Sequence, residues 1–305
     1  MDIFFSPDYV VAESRFETTR KSGWVADSLA RRPLPGLRVV APPALPRESL
    51  LAVHSPEYVD AVATGEPRKL ASSQGFVWGP KLFASVAAST AGMVAAAREG
   101  DVSGSLSSGL HHARYGHGGG FCTFNGLAIA AKDAIRRGVP SVLILDLDAH
   151  CGGGTASLIA DEPRITQLDI STNRFDGYRD TANARLVIAA PDTYLRTIDL
   201  ELARLGYAGF GLVIYNAGMD PFGGGVTASD LATREEIVFE WADSQQSAIA
   251  FCLAGGYLSD GLTQQELVDL HRFTIDKAHE IWARRQTAKQ RLDNSWRLAD
   301  EEVRR

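Results

Sequence analysis

Short continuous apolar runs alternate along the chain with longer stretches of helical periodicity. The apolar runs are Ile3 to Phe5, Ser141 to Leu145, Phe210 to Tyr215 and Ala248 to Leu253, and the more mixed stretches Gly36 to Val40 and Ile165 to Ile170 are further candidate strands. Runs without polar alternation predict strands buried on both faces, as a parallel sheet requires. Helical spacing governs Glu48 to Val62, Pro80 to Arg98, Leu127 to Arg137, Tyr194 to Leu205, Ala228 to Asp243 and Gln264 to Trp282. Ser229-Asp230 before one helical run and Gly138 after another are start and stop signals. The alternation predicts an α/β fold, a wound parallel sheet flanked by helices on both faces. There is no internal repeat and no low-complexity linker, so residues 1–277 read as one domain. Residues 278–305, rich in Arg, Glu and Ala, read as a helical extension or tail.

In open α/β sheets, ligands collect beyond the carboxyl ends of the strands. Three of the apolar runs end there in polar clusters: Asp146-Leu147-Asp148-Ala149-His150, Asn216-Ala217-Gly218-Met219-Asp220 and Ala254-Gly255-Gly256-Tyr257. A fourth cluster, Ser107-Ser108-Gly109-Leu110-His111-His112, runs into the glycine-rich Gly118-Gly119-Gly120-Phe121. The pattern brings all four to one edge of the sheet.

Composition narrows the class. Of 305 residues, 45% are hydrophobic and 22% charged, which excludes disordered and fibrous proteins. The formal net charge is −6 and no basic stripe precedes the last thirty residues, so no nucleic-acid groove is expected. Cys122, Cys151 and Cys252 are odd in number and far apart, unlike a disulfide framework. The N-terminus lacks the pattern of a signal peptide, and no apolar run is long enough to span a bilayer. A cytoplasmic protein is expected, with no membrane partner.

Asp148 and His150 are two apart and share a face of an extended backbone. With a third carboxylate from a neighbouring strand, for which Asp220 is best placed, they make a three-ligand site with open positions. That is the arrangement of a catalytic divalent metal, Zn²⁺ most simply. The oxygen-rich set leaves Fe²⁺ open as well. The bland alternative is a pair of loop caps, and the preceding carboxylate of Asp146 with the following Gly152-Gly153-Gly154 weighs against it. His111-His112 suits general acid/base work on a metal-activated water, and Asp146 suits fixing the tautomer of a neighbouring histidine. Tyr257, after two glycines, can donate its hydroxyl to an oxygen that becomes negative in a transition state.

Several stretches, in combination and order, carry a family likeness. They are Gly109-Leu110-His111-His112-Ala113, Gly120-Phe121-Cys122, Phe124-Asn125 and Asp146-Leu147-Asp148-Ala149-His150, then Asn216-Ala217-Gly218-Met219-Asp220 and Gly255-Gly256-Tyr257. Ser6-Pro7-Asp8-Tyr9 and Val53-His54-Ser55-Pro56-Glu57-Tyr58 fit the early part of the same pattern. The chain, to about Asp276, resembles the histone-deacetylase-like superfamily of zinc amidohydrolases, which includes acetylpolyamine amidohydrolases and acetoin-utilisation proteins. The resemblance implies an arginase/deacetylase-like single domain with a parallel sheet of about eight strands. It implies zinc on Asp148, His150 and Asp220, and hydrolysis of an acyl amide. His112 would be general base and then acid, and His111, paired with Asp146, would stabilise charge. Tyr257 would bind the carbonyl oxygen, Phe121 would wall the acyl tunnel, and Gly120 would offer its carbonyl to the substrate amide. A structural K⁺ near Asp146, held by backbone carbonyls of Asp148 and His150 with help from Ser171, is implied too.

The sequence departs from that family in places. Cys151 stands where a second histidine is usual, and Gly153 where an Asp or Asn usually pairs with the second histidine of the tandem. His112 is therefore expected to lack its orienting carboxylate unless another group substitutes. Pro221-Phe222-Gly223-Gly224-Gly225 and Ser171-Thr172-Asn173 also replace the usual loops. Two alternatives follow: a non-catalytic metal-containing binder of an acyl or amide ligand, and a ureohydrolase-like dinuclear enzyme. The second needs bridging carboxylates where Gly152 and Gly218 stand. By family analogy a small acylated amine is favoured over a protein tail, with a homo-oligomer left open.

Overall fold

The computed structural model describes residues 1–10, 16–207 and 209–303, with backbone only for residue 18 and for 294–303. Its strands are β1 (Asp2–Phe4), β2 (Arg38–Val40), β3 (Val102–Ser105), β4 (Val142–Asp146), β5 (Ile165–Ser171), β6 (Ala184–Ile188), β7 (Leu212–Gly218) and β8 (Ala248–Ala254). Its helices are α1 (Lys21–Arg31), α2 (Arg47–Leu51), α3 (Pro56–Thr64), α4 (Arg68–Ala71), α5 (Pro80–Arg98), α6 (Gly126–Arg136), α7 (Gly153–Ile159), α8 (Tyr194–Leu205), α9 (Ala228–Ser244) and α10 (Gln264–Val303). The eight strands form one sheet in the order β2-β1-β3-β8-β7-β4-β5-β6, and every pairing is parallel.

Burial on both faces explains the strand sequences. In β4, Leu143 and Leu145 enter one apolar cluster with α8, α9 and α10, while Val142 and Ile144 enter another with α3, α5 and α6. Alternate side chains thus feed two cores. β3 lay outside the expected strands because Val102-Ser103-Gly104-Ser105 is short and small. Gly104 has no side chain because a Cβ there would stand 2.3 Å from the Phe251 ring of β8. β6, at the sheet edge with only Ala184 buried, was equally faint in the sequence.

The expected helix from Glu48 to Val62 is two helices, and the break has a local cause. Pro56 begins α3, Ser55 caps it by accepting from the Tyr58 amide, and Gly65 ends it in the left-handed region. Thr227 rather than Ser229 caps α9, through a reciprocal capping box with Asp230. α10 continues unbroken through residue 278, where the extension was expected to begin. Ala278 and Ile281 are buried, and Arg285 pairs with Asp101 and Asp243. No helix among the described residues is long and apolar enough to cross a membrane.

All eight carboxyl ends lie on one edge because every strand is parallel. β4, β7 and β8 are neighbours, so the segments after them are brought together. β3 and β4 are consecutive in the chain but separated by β8 and β7, and the crossover between them carries the histidine pair. β4 leads on to β5 on one side and β7 to β8 on the other, so the gap between β4 and β7 is a switch point of the kind where α/β sheets hold ligands.

Candidate active site

Asp148 and His150 follow β4, and Asp220 follows β7. One ligating atom from each lies within 4.8 Å of the others. His150 Nδ1 stands 3.2 Å from Asp148 Oδ1 and 2.9 Å from Asp220 Oδ2. One ring hydrogen cannot serve both carboxylates, and Asp220 Oδ2 is buried without a hydrogen bond. A buried carboxylate oxygen left this way carries a desolvation cost that a cation would relieve. The donor set therefore fits a divalent ion.

The glycines of these motifs are required by contact. A Cβ at Gly218 would stand 2.4 Å from Asp148 Cα, and one at Gly152 would stand 2.6 Å from Asp146 Oδ2. A carboxylate at 218 would have to shift the Asp148 backbone, and one at 152 would have to displace the buried side chains of Asp146 and Gln167, so the dinuclear alternative has no room for its bridging ligands. Gly255, at φ +51°, lies so close to Asp220 that a Cβ would stand 2.4 Å from its carboxyl group.

Electrostatics divide the tandem histidines. His111 Nδ1 donates to Asp146 Oδ2 at 2.7 Å, and Asp146 Oδ1 accepts from Asn216 at 2.8 Å. Burial opposes a charge on His111, but the carboxylates of Asp146 and Asp148 outweigh it and hold its pKa up at about 10. Burial and the neighbouring His111 charge instead lower the pKa of His112, against the pull of a carboxylate on its Nδ1. At neutral pH His111 is thus held cationic, while His112 is pushed toward the neutral form.

The carboxylate on His112 is Asp176, whose Oδ2 accepts from Nδ1 at 3.0 Å. His112 was expected to lack an orienting carboxylate unless another group substituted, and Asp176 is that substitute, arriving from the loop between β5 and β6. Arg114 holds it there, donating to Asp176 Oδ1 and, at 3.2 Å, to the Gly153 carbonyl. No sequence signal marked Asp176, which lies 64 residues from His112.

Gly120 and Phe121 adopt positive φ, +49° and +63°. A Cβ at Gly120 would stand 2.3 Å from His112 Cδ2, so the backbone itself closes over that imidazole. Phe121, 43% exposed, touches Phe16 and Phe76, and Phe16 touches Tyr257. Phe175 stands edge-on to His112 and His150 with ring centroids at 5.0 and 5.9 Å. One cleft is lined by His111, His112, Gly120, Phe121, Asp148, His150 and Tyr257. Burial, then the Asp220 and Asp148 charges, push the Tyr257 phenol far above its ordinary pKa and keep it protonated.

Buried groups behind the cleft hold these segments. Lys21 Nζ donates to the Gly255 carbonyl, and burial lowers its pKa to about 8 against the attraction of Asp220 and Asp148. Arg234, fully buried beside Glu235, donates to the carbonyls of Leu147 at 3.3 Å and Gly218 at 2.5 Å. It thereby ties the end of β4 to the end of β7. His54 takes from Asn125 N at Nε2 and donates from Nδ1 to Arg114 O, a neutral ring that burial keeps at a pKa of about 4. Ser171 donates to Asp169 at 2.6 Å, and Asp169 sits opposite Asp146 in the β4–β5 register.

The fold and this cleft define an arginase/deacetylase-type α/β protein. Solved structures share the fold: an acetylpolyamine aminohydrolase from Burkholderia pseudomallei superposes with a TM-score of 0.76 at 18% identity, covering 92% of this chain and 99% of that one. The HD domain of HDA15 gives 0.75 at 18% identity, covering 92% and 89%. The histone deacetylase domain profile matches residues 15–187, more than half the chain. A Picosynechococcus protein of uncharacterised role is 30% identical over 257 residues, 79% of this chain and 85% of its own. Histone deacetylase 2 of Arabidopsis thaliana is 28% identical over 248 residues, 72% of this chain and 63% of its own length. The Bacillus subtilis acetoin utilization protein AcuC is 30% identical over 152 residues, 45% and 39% respectively. The chain belongs to the histone deacetylase family, and by class it is a hydrolase acting on carbon–nitrogen bonds of linear amides. Asp220 and Tyr257 lie beyond the matched stretch: Asp220 follows β7 and meets Asp148 and His150, and Tyr257 follows β8 and lines the cleft.

Proposed function

We propose that this protein is a metal-dependent deacetylase that cleaves a small acylated amine into free amine and carboxylate. The observation that carries the reading is the meeting of Asp148, His150 and Asp220 beside a neutral His112, a cationic His111 and a protonated Tyr257.

Asp148, His150 and Asp220 would hold one divalent ion, zinc by preference and ferrous iron as the second choice. When bound, it supplies Lewis acidity to a carbonyl and to water. His112 takes the proton of the attacking water and returns it to the leaving nitrogen. His111, kept protonated by Asp146, stabilises the negative charge that develops between these events. Tyr257 donates its hydroxyl to the substrate carbonyl oxygen, where such a donor acts chiefly on the transition state. Phe121 and Phe175 flank the acyl chain, and the Gly120 carbonyl accepts from the substrate amide. We further propose a structural potassium ion near Asp146, on the carbonyls of Asp148 and His150 with Ser171.

The likeness of almost the whole acetylpolyamine aminohydrolase chain to this one supports a small amine over a protein tail. The buried free cysteines support a reducing, cytoplasmic setting, and the charge of −6 argues against nucleic acid. Homo-oligomers are compatible with this reading. Gly153 and Cys151 were the motives for a non-catalytic binder, and the Asp176 carboxylate on His112 answers the first of them. The test is amine release from acetylated polyamines, acyl-lysine peptides and short-chain amides by zinc-loaded protein. The proposal expects the highest kcat/KM among the small acylated amines. No turnover across the panel would overturn it.

A further inference from the structure

We infer that Asp176 is the positioning residue of His112: a carboxylate from the β5–β6 loop that fixes the imidazole with its hydrogen on Nδ1 and its lone pair on Nε2. The inference rests on the proposed proton transfer by His112 and adds a residue that neither motif nor spacing assigns.

Three contacts define the unit. His112 Nδ1 donates to Asp176 Oδ2 at 3.0 Å, and the amide of Gly154 donates to the same oxygen at 3.1 Å. The guanidinium of Arg114 donates to the other oxygen, Oδ1. Both carboxylate oxygens are thus fixed, which leaves the imidazole little freedom to turn. The hydrogen bond made by one ring nitrogen decides which nitrogen keeps its lone pair. With Nδ1–H given to Asp176, Nε2 is left to accept a proton.

Gly153 is the other half of the arrangement. A Cβ at 153 would stand 2.3 Å from the Asp176 carbonyl oxygen and 2.9 Å from both Arg114 Nη2 and Asp176 Oδ1. The place from which an acidic side chain would ordinarily reach His112 is filled by the loop that now supplies the acid. Asp176 itself holds a left-handed backbone at φ +58°, a conformation open to aspartate more than to most non-glycine residues, and here its surroundings enforce it. The Arg114 and Gly154 contacts are that enforcement. Phe175, the adjacent residue, presses its ring against His112 and His150, so one loop sets both the imidazole and the mouth of the cleft.

The test compares zinc-loaded wild type with Asp176→Asn and Asp176→Ala, read by ¹⁵N NMR of histidine-labelled protein at neutral pH and by steady-state kinetics. In wild type, His112 shows a protonated Nδ1 and an unprotonated Nε2. In Asp176→Ala the pattern shifts toward the opposite tautomer, kcat falls about 10- to 100-fold, and KM and zinc content stay within about twofold. Asp176→Asn, which keeps an acceptor of the same shape, retains the tautomer and loses less. An unchanged His112 spectrum in Asp176→Ala overturns the inference, as does a kcat loss that merely follows zinc loss or unfolding. If wild type turns over nothing in the panel, the proposed function fails alone, and the NMR comparison still decides the role of Asp176.

Discussion

Asp169 faces Asp146 in register across β4 and β5, and both carboxyl groups are wholly buried. Burial, then the Asp146 charge, raises the Asp169 pKa to about 8 despite hydrogen bonds from Ser171 and Gly152. Its ordinary value is 3.8, so between the two the folded protein holds a proton that the unfolded chain has released. The stability this proton contributes is complete below the lower value and is lost as pH rises through the higher one. Asp169→Asn should flatten that loss. Urea midpoints at pH 5 and pH 8 in potassium-free buffer measure it, and equal slopes in both proteins would contradict the assignment.

Arg234 offers a prediction about stability. Its guanidinium is buried against Glu235 and bridges the carbonyls of Leu147 and Gly218. Removing one member of a buried pair leaves the other uncompensated, at a cost of about 3–5 kcal/mol. Arg234→Met should lose that much in chemical denaturation. Removing Glu235 as well, with Glu235→Leu, should recover part of the loss. A single variant within about 1 kcal/mol of wild type would show that the pair does not hold the strand ends.

Much of this was legible in the sequence for physical reasons that can be named. Strands buried on both faces write themselves as nearly unbroken apolar runs, so β4, β7 and β8 were found, and with them the polar clusters at their ends, while β5 was found although Thr166, Gln167 and Asp169 interrupt it. Asp148 and His150 share a face by the period of the strand. Asp220 was reachable because β7 and β4 are equally apolar, as adjacent central strands must be. Contacts across the fold left no such trace. Asp176 meets His112 from a loop without periodicity, and Lys21 and Arg234 look like solvated helix residues until their burial is seen. β3 escaped because its interior is made of serine and glycine, with Phe251 filling the space from the next strand.

Tyr257 supports a kinetic prediction. Loss of one donor to a developing oxyanion typically costs about 10²–10³ in turnover. Tyr257→Phe should lose kcat in that range while KM and metal content change little. Near-normal turnover would make the phenol a packing group beside Phe16.

The central claim is that one divalent ion, held by Asp148, His150 and Asp220, makes this cleft an amidohydrolase. Titrating metal-free protein with zinc while following release of amine from the best acylated substrate tests it most directly. Activity should rise from zero and saturate at about one equivalent, and Asp220→Ala should neither bind that equivalent nor turn over. Turnover that is independent of zinc, or that needs two equivalents, would contradict the account.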